Sequence, residues 1–473
     1  IALGEDAFWR PLVALTVVAA VALIPTARRA MSDPAWRDLS QTARGKLLHR
    51  LADLIEQHAA GIGRIETTDS GKLLAETASQ TAYVGDYYRY YAGLADKIEG
   101  AVLPIDKPDM HVFTRREPIG VVVAIVPWNA QMFLTATKLG PALAAGNAVI
   151  LKPASWSPLT ALELARIADA AGLPKGLLSV LPGSGREIGN LLVEHPDIAK
   201  ISFTGGTSTG RSLAEKAGCK LMPVSLELGG KSPTIVFDDA DIEVALAGIL
   251  FGVFSSTGQS CIAGSRLFVQ RGIYDAFVPR LVAATKRLRV GHPFAEGTQV
   301  ASLIHQDHRD EVAGHVARAL EDGGRLLCGG GAPDGAEYAE GSYYLPTIIE
   351  GLGNDARLCR DEVFGPVLAV LPFDGEDEVI AQGNDNDYGL ACGIWTRDFP
   401  RAWRVARAIR AGTVWINTYK QFSISTPFGG DGASGIGREK GRQGLRAYMR
   451  QKAIYADLTG APHPWAADVV RAS

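Results

Sequence analysis

Three residues in separate parts of the chain have side chains that could together carry out acyl chemistry. Cys261 lies in FSSTGQSCIAGSRLFV, between a helical pattern and a run of β-branched residues. Glu227, in VSLELGGKSP, ends a predicted apolar strand, and Asn129, in IVPWNAQM, follows another. A thiolate is a strong nucleophile, a buried carboxylate has a raised pKa that suits general-base work, and a side-chain amide can donate to an oxyanion.

Each of these residues also has an ordinary structural interpretation. A free cysteine is often a small buried apolar side chain, and four more lie elsewhere in the chain: Cys219, Cys328, Cys359 and Cys392. Asparagine at a helix start is a favoured N-cap, and a carboxylate at a strand end commonly pairs with a lysine such as Lys231. Taken singly, the three residues leave both interpretations open.

Two further strand ends carry residues suited to a dinucleotide. Lys152, in ILKPAS, ends a strand, and its ammonium group could donate to ribose hydroxyls. In ISFTGGTSTG the glycines Gly205, Gly206 and Gly210 open a helix, which lets the backbone approach a pyrophosphate at the positive helix end. Any tight strand-to-helix turn also needs glycine, so this motif alone does not identify a dinucleotide site. Its position among strand-helix units is what supports that interpretation.

The elements that would position these residues alternate between short apolar strands and helices. Four runs from Gly120 onward follow this order, and they begin GVVVAIVPWN, AVILKPAS, LLSVLPGSG and IAKISFTGG. Continuous valine, isoleucine and leucine runs are typical of parallel strands covered on both faces. The pattern therefore predicts an α/β fold with a doubly wound parallel sheet, which binds ligands beyond the carboxyl ends of its strands.

The chain is predicted to divide into three parts. Residues 1–100 and 119–229 would form a dinucleotide-binding domain, and residues 230–428 an α/β catalytic domain. Residues 101–118 favour a β-hairpin, and a tail strand within residues 445–460 is expected to pair with it as a small arm. Exposed strand edges on such an arm favour association with a second subunit.

Composition argues against several classes of protein. The 473 residues carry a formal net charge of -3, so there is no basic surplus to neutralise nucleic acid phosphates. Five scattered cysteines without a C-x-x-C pair favour a reducing cytoplasm over a disulfide framework or zinc site. The histidines His305 and His308 are expected to form a solvated surface pair, and no metal site is predicted.

The apolar stretch LVALTVVAAVALI, residues 12–24, is expected to be a buried helix or strand of the first domain. As a helix its 13 residues would span about 20 Å, short of the ~30 Å hydrocarbon core of a bilayer. Glu5 and Asp6 before it, and the lack of a small-residue cleavage site, argue against a signal peptide. We therefore expect no membrane attachment.

Seven motifs in one order make the chain resemble the NAD(P)-dependent aldehyde dehydrogenases over residues 27–458. They are PWN at Pro127, ALAAGNAVILKPAS ending at Ser155, FTGG at Phe203, LELGGKSP at Leu226, GQSC at Gly258, EVFGP at Glu362 and PFGGDGASGIGRE at Pro427. The short β-hairpin with which this family usually begins is not found in residues 1–25, so the edge of the first domain stays open.

The resemblance implies a mechanism for the three residues named first. Cys261 would attack the aldehyde carbonyl as a thiolate, and the Asn129 amide with the Cys261 backbone N–H would hold the resulting oxyanion. After hydride transfer, Glu227 would activate the water that hydrolyses the thioester to a carboxylic acid.

The resemblance also implies a site for NAD or NADP. Lys152, included among the catalytic candidates, would hold the adenine ribose, Glu362 the nicotinamide ribose, and Phe364 would pack beside the ring. The other implied cofactor residues are Val126, Pro127, Trp128, Ser155, Gly185, Gly189, Phe203, Gly205, Gly206, Gly210 and Leu228. NAD-preferring members often carry a glutamate at the position of Ser155, and without a carboxylate to repel a 2′-phosphate NADP is the predicted preference.

Two other functions remain as alternatives. A relative that passes the acyl group to coenzyme A would lack the general-base glutamate, and Glu227 is present. A catalytically silent structural member would have lost the nucleophile or the base. The predicted partners are a small aldehyde and further copies of the chain in a homodimer or homotetramer. Residues 418–426, TYKQFSIST, resemble the substrate-lining loop and carry one charged residue, Lys420, which does not identify the aldehyde.

Overall fold

The computed structural model of the chain describes residues 5–471, with side chains from residue 18 onward except those of residues 187 and 471. The helices are α1 Glu5–Ser32, α2 Pro34–Arg37, α3 Gln41–Ser70, α4 Leu74–Ala95, α5 Gln131–Ala145, α6 Leu159–Ala170, α7 Asn190–Glu194, α8 Thr207–Cys219, α9 Ile242–Phe254, α10 Arg271–Thr285, α11 Gln306–Glu321, α12 Arg357–Arg360, α13 Glu376–Asn384, α14 Phe399–Ala408, α15 Gly441–Arg446 and α16 Ala467–Arg471. The strands are β1 Met110–Pro118, β2 Val121–Ile125, β3 Ala148–Lys152, β4 Leu178–Val180, β5 Ile198–Thr204, β6 Val224–Glu227, β7 Pro233–Val236, β8 Arg266–Gln270, β9 Arg325–Cys328, β10 Thr347–Glu350, β11 Val367–Phe373, β12 Tyr388–Gly389, β13 Ala391–Trp395, β14 Thr413–Ile416, β15 Asp431–Gly432, β16 Gly435–Ile436 and β17 Met449–Asp457.

The first sheet is doubly wound, as its valine- and isoleucine-rich strands predict. Its order is β16-β6-β5-β2-β3-β4, and all neighbouring strands are parallel except β16, which runs antiparallel to β6. The chain starts this sheet at β2, adds β3 and β4 on one side and then β5 and β6 on the other. The topological switch therefore lies between β2 and β5, where a sheet of this kind opens a crevice at its carboxyl edge.

Helices cover this sheet, and the apolar stretch near the start of the chain supplies one of them. Helix α1 packs against β2 and β3, and Ala20, Ile24 and Ala27 are fully buried there. Residues 12–24 are thus helical, although the side chains of residues 12–17 lie outside the described part. Within residues 5–471, no helix combines the length and apolarity that crossing a membrane requires.

The second sheet follows directly in sequence. Its order is β14-β13-β7-β8-β11-β10-β9, and it is parallel apart from β9. Separate apolar clusters cover its two faces, with Phe268 of β8 in one and its neighbours Leu267 and Val269 in the other. Both faces are buried, which explains why its strands are mostly apolar. Residues 228–232 cross from β6 of the first sheet to β7 of the second.

The arm is formed by β1 and β17, which pair antiparallel from Met110 opposite Asp457 to Pro118 opposite Met449. The tail strand thus pairs as expected, and the hairpin predicted within residues 101–118 is present only as a short antiparallel contact. The first limb of that hairpin makes one isolated bridge, between Val102 and Phe113. Pro104 and Pro108 explain the difference, because proline has no N–H to donate to a strand ladder.

Candidate active site

A cleft of about 870 Å³ lies at the carboxyl ends of β2, β3 and β5, at the switch point of the first sheet. The residues proposed from the sequence that line it are Val126, Pro127, Trp128, Asn129, Lys152, Gly185, Gly189, Phe203, Gly205, Gly206, Leu228, Cys261, Glu362 and Phe364. The structure therefore brings together side chains that are separated by more than 230 positions in sequence. Glu227, Ser155 and Gly210 do not line the cleft.

Each of the three residues outside the cleft lining has a definite place. Glu227 is 4% exposed and ends β6 behind the cleft wall. Ser155 is exposed and donates its hydroxyl to the Gly183 carbonyl oxygen at 2.9 Å. Gly210, in α8, packs against the side chain of Leu228 so closely that a Cβ there would lie 2.3 Å from its Cδ2 atom. Gly210 thus lets α8 approach the cleft wall.

The loop that carries Cys261 is held in an unusual backbone conformation. Ser256 and Thr257, which follow α9, both adopt left-handed φ angles, 54° and 55°. Such angles cost about 1–3 kcal/mol for a residue with a side chain and persist only where surrounding contacts fix them. Glu76 of α4 provides those contacts, because its carboxylate accepts from Ser256 N–H at 2.8 Å and from Ser256 Oγ at 2.9 Å.

The next residue of this loop allows a test of its packing. Gly258 has a φ of 70°, and a Cβ at this position would lie 2.2 Å from the Gly365 carbonyl oxygen in the EVFGP motif. We expect Gly258→Ala to lower the free energy of unfolding by about 1–3 kcal/mol and to reduce kcat/KM, because the loop must move away from Gly365. Thermal unfolding and aldehyde kinetics on the purified variant measure both effects.

Gly272→Ala is the matched control for this variant. Gly272 lies in α10, and the nearest atom to a Cβ there is 3.9 Å away. Alanine is a better helix former than glycine, so this change is expected to leave activity unaltered and stability equal or higher. If Gly258→Ala had the stability and activity of the wild-type protein, the loop would have space for a Cβ, and its close packing against Gly365 would be wrong.

The glycines of LELGG bring the cysteine loop and the Glu362 loop onto the crossing between the two sheets. A Cβ on Gly230 would lie 2.2 Å from the Cys261 carbonyl oxygen, and a Cβ on Gly229 would lie 2.3 Å from Glu362 Oε2. The Gly230 N–H also donates to Glu362 Oε1 at 3.1 Å. Because Gly229 and Gly230 have no side chains, the LELGG segment, the Cys261 loop and the Glu362 loop can pack against one another.

The surroundings of Cys261 favour the neutral thiol. Burial raises the pKa of Cys261 to about 12, and the negative charges of Glu362 and Glu227 add to that effect, while Lys420 opposes it. Asn129 Nδ2 donates one hydrogen bond to the Gln259 carbonyl oxygen, at 2.9 Å. Since an amide nitrogen has two hydrogens, one N–H of Asn129 is left to serve an oxyanion.

The surroundings of Glu227 also favour the neutral form of its side chain. Burial raises the pKa of Glu227 well above its usual value, and the negative charge of Glu439 adds to the shift, against the opposing charges of Lys138, Arg438 and Lys440. Neither carboxyl oxygen of Glu227 has a hydrogen-bond partner within the described residues. Glu439 itself forms a buried ion pair with Lys138. A carboxyl group with this pKa can accept a proton near neutral pH once it has lost its own.

The cleft residues fit a dinucleotide in charge and in space. Helix α8 begins after Gly206 without a side-chain cap, so its N-terminal N–H groups are available to a pyrophosphate. The Lys152 ammonium donates to the Pro153 carbonyl oxygen at 2.9 Å, and burial lowers the pKa of Lys152 to about 8. Burial raises the pKa of Glu362 to about 7. Lys152 and Glu362 can donate to and accept from ribose hydroxyls.

The histidine pair of HQDH is placed differently from expectation, because it lines the cleft rather than standing in solvent. His308 is 9% exposed, and its Nε2 atom is 2.9 Å from the Phe364 carbonyl oxygen. His305 stacks on Trp156 with 4.5 Å between ring centroids. Trp128 contacts Phe364 edge-on at 5.4 Å, and the His308 ring lies beside both.

Sequence reasoning also missed polar residues on the first turns of α8. Ser208, Thr209 and Ser212 line the cleft. Their spacing of one and then three residues puts them on one side of a helix, and this pattern directly after the FTGG turn is a signal that could have found them.

Comparison with known proteins gives the class of this protein. The aldehyde dehydrogenase family matches residues 13–454, and the chain belongs to that family. A relative from Acinetobacter baylyi, (Z)-2-((N-methylformamido)methylene)-5-hydroxybutyrolactone dehydrogenase, is 47% identical over 440 residues, which are 93% of this chain and 89% of that protein. A betaine aldehyde dehydrogenase from Mesorhizobium japonicum is 44% identical over 92% of this chain and 89% of its own length.

Solved structures agree with this assignment. Betaine aldehyde dehydrogenase from Staphylococcus aureus in complex with NAD+ superposes with a TM-score of 0.93 at 36% identity, covering 94% of this chain and 88% of that one. An aldehyde dehydrogenase from Burkholderia cenocepacia superposes with a TM-score of 0.92 at 41% identity, covering 95% and 91%. The protein is an NAD(P)-dependent oxidoreductase that converts aldehydes to carboxylic acids.

Proposed function

We propose that Cys261 is the nucleophile, Asn129 an oxyanion donor and Glu227 the general base of this oxidation. The main support is the crossing between the sheets, where Gly229 and Gly230 let the cysteine loop approach the strand that ends in Glu227. In this proposal the Cys261 thiol gives its proton to solvent, and the thiolate attacks the carbonyl carbon to form the alkoxide of a thiohemiacetal. The free N–H of Asn129 and the Cys261 backbone N–H hold the oxyanion.

The second half of the reaction depends on Glu227. When bound, the nicotinamide cofactor supplies a hydride acceptor, and oxidation leaves a thioester on Cys261. Glu227, once deprotonated, takes a proton from a water molecule, and the resulting hydroxide attacks the thioester carbonyl. The carboxylic acid leaves, and Cys261 is restored as a thiol.

The direct test of this function is an aldehyde panel with NAD and NADP, without coenzyme A, in which reduced cofactor and carboxylic acid are both quantified. We expect the two to form in equal amounts. Stimulation of turnover by coenzyme A, with an acyl thioester as product, would overturn the hydrolytic mechanism.

We infer that both cofactors are accepted and that NADP is preferred. Ser155, next to the Lys152 strand end, presents a hydroxyl where a carboxylate would repel a 2′-phosphate. Arg186 lines the cleft, and among the described side chains no carboxylate pairs with it, so its charge is available to that phosphate. We expect a higher kcat/KM for NADP, and a loss of about tenfold for NADP in Ser155→Glu, with a smaller change for NAD. A large NAD preference in the wild-type enzyme would overturn this inference.

We further propose that the chain works as a homodimer or homotetramer in a reducing cytoplasm. Residues 101–118 and 445–460 would form the oligomerisation arm, beside the cofactor domain of residues 1–100 and 119–229 and the catalytic domain of residues 230–428. The arm exposes apolar side chains, including Val102 at 70%, Tyr455 at 63% and Leu458 at 67%. All five cysteines are free.

Light scattering on the purified protein tests the assembly. We expect a molar mass two or four times that of the chain, and a shift to smaller species in Tyr455→Asp combined with Leu458→Asp, because buried carboxylates would destabilise the interface. Leu221→Asp is the control, since Leu221 is 92% exposed and lies away from the arm. A monomeric wild-type protein would contradict the proposal.

A further inference from the structure

The Cys261 loop has a second side that the cofactor cleft does not use. Cys261 packs against the same buried apolar cluster as the half-buried rings of Phe422 and Phe428, which belong to a segment that is exposed at several of its other positions. An aldehyde has to reach the thiol on a side that the cofactor leaves open. The segment of residues 420–428 is therefore the part of the surface from which a substrate can approach.

This side of the thiol holds a buried lysine surrounded by aromatic rings. The Lys440 ammonium lies over Phe422 at 4.0 Å from the ring centroid, over Phe428 at 4.8 Å and over Phe133 at 5.3 Å. Lys440 is 3% exposed and has a left-handed φ of 62°. Aromatic faces stabilise a cation, and here the chain's own ammonium group occupies the space that the three rings enclose.

The nearest acidic neighbour of Lys440 in sequence is already engaged. Glu439 pairs with Lys138 and also accepts from Thr137 Oγ1 at 3.2 Å. Within the described side chains, no carboxylate lies within ion-pair distance of the Lys440 ammonium. The charge of this lysine is offset by ring faces and by longer-range carboxylates, which leaves its N–H donors unused.

A second lysine faces the same region. The Lys420 ammonium donates to Ser255 Oγ at 2.8 Å and has no ion-pair partner among residues 18–470. Like Lys440 it has a left-handed φ, 53°, and burial lowers the pKa of each lysine to about 8. The charges of both lysines interact with that of Cys261, so both lie within Coulombic range of the thiol.

These two lysines decide which kind of aldehyde the site can accept. A cationic aldehyde would meet like charge inside an aromatic enclosure that the Lys440 ammonium already fills, and a neutral aldehyde would leave the charges of Lys420 and Lys440 without an ion-pair partner. An aldehyde with a carboxylate at its far end would supply the missing charge. A flexible lysine can also adjust its position to bind such a group.

We propose that Lys440 and Lys420 form a carboxylate-binding subsite, so that the preferred substrates are oxo acids, in which one end is an aldehyde and the other a carboxylate. This inference rests on the proposed function, because it takes Cys261 as the reacting group. It sets this chain apart from relatives named for betaine aldehyde, a quaternary ammonium compound.

Steady-state kinetics on a charge-varied panel test the subsite. Succinate semialdehyde and glutarate semialdehyde represent the anionic class, butanal and pentanal the neutral class, and betaine aldehyde the cationic class. We expect kcat/KM to be about tenfold or more higher for the anionic aldehydes than for the neutral ones, and lowest for betaine aldehyde. A wild-type preference for neutral or cationic aldehydes would overturn the proposal.

The variants separate charge from packing. In Lys440→Met and Lys420→Met we expect KM for the anionic aldehydes to rise about tenfold with a smaller change in kcat, so that the anionic-to-neutral ratio of kcat/KM falls. Lys440→Arg keeps the charge and should retain most of that ratio. Lys46→Met, at an exposed position of α3, removes the same charge elsewhere and should change nothing. An equal loss for all aldehydes in Lys440→Met would assign this lysine a structural role only.

A binding measurement makes the test independent of turnover. Glutarate, which carries the carboxylate but no aldehyde, is expected to protect Cys261 from iodoacetamide, and pentanamide is not. Lys440→Met and Lys420→Met should each raise the glutarate concentration needed for protection by about tenfold. Equal protection by both compounds would overturn the subsite even in an active enzyme. Protection by glutarate in a protein that oxidises no aldehyde would leave the subsite standing and overturn the proposed function.

Discussion

Cys261→Ala is expected to lower kcat for aldehyde oxidation by about 10⁴- to 10⁶-fold, because the thioester intermediate has no other attachment point. The thiol is small and half-buried, so the alanine variant should fold and bind cofactor like the wild-type protein. Reduced cofactor is measured in steady state and in a single turnover. Cofactor binding is measured separately, by calorimetry.

Two cysteine controls accompany this variant. Cys219→Ala removes the exposed thiol, and Cys392→Ala removes a fully buried one in β13. The first should keep full activity, and the second should lose stability rather than catalysis. If Cys261→Ala kept more than a small fraction of the wild-type rate, the covalent mechanism would be wrong.

Glu227→Gln is expected to separate the two halves of the reaction. Glutamine cannot take a proton from water, so acylation proceeds and hydrolysis of the thioester slows by about 10²- to 10⁴-fold. Rapid mixing with aldehyde and cofactor should show a burst of reduced cofactor equal to the concentration of active sites, followed by a stall. Mass spectrometry should find the acyl group on Cys261.

The pH dependence of the same experiment checks the protonation state of Glu227. Its pKa is raised, so only the deprotonated fraction works as a base, and this fraction grows as the pH rises toward that pKa. In the wild-type enzyme the hydrolysis rate should therefore increase with pH, and in Glu227→Gln this increase should disappear. Glu163→Gln, a change of a half-buried carboxylate that is ion-paired with Arg166, is the control. A slow phase without a burst would contradict the role of Glu227.

Much of the fold could be predicted because local patterns dictated it. The strands β2, β3 and β5 are runs of β-branched and apolar residues that are buried on both faces, and such runs have few other stable arrangements. The arm was predicted less well. Its first limb contains prolines that cannot complete a ladder, so this limb makes one bridge to β1, and the main partner of β1 is β17, more than 330 positions further along the chain.

The candidate site could be predicted where a motif lies at the end of one strand. Residues whose role depends on contacts between distant segments gave no such signal. His308 is buried because Phe364 and Trp128 come to it from other loops, and Lys440 is buried because three rings from two distant segments enclose its ammonium group. A lysine and a histidine in a polar stretch have the same local pattern whether they are solvated or enclosed.

The crossing at residues 228–232 does more than connect two sheets. It is the covalent link between the cofactor-side sheet and the cysteine-side sheet, and it is also the surface on which the Cys261 and Glu362 loops rest. Glu227 ends the strand directly before this crossing, and the Cys261 loop packs on Gly230 within it. The same short segment thus acts as a spacer that sets where the proposed base lies relative to the proposed nucleophile.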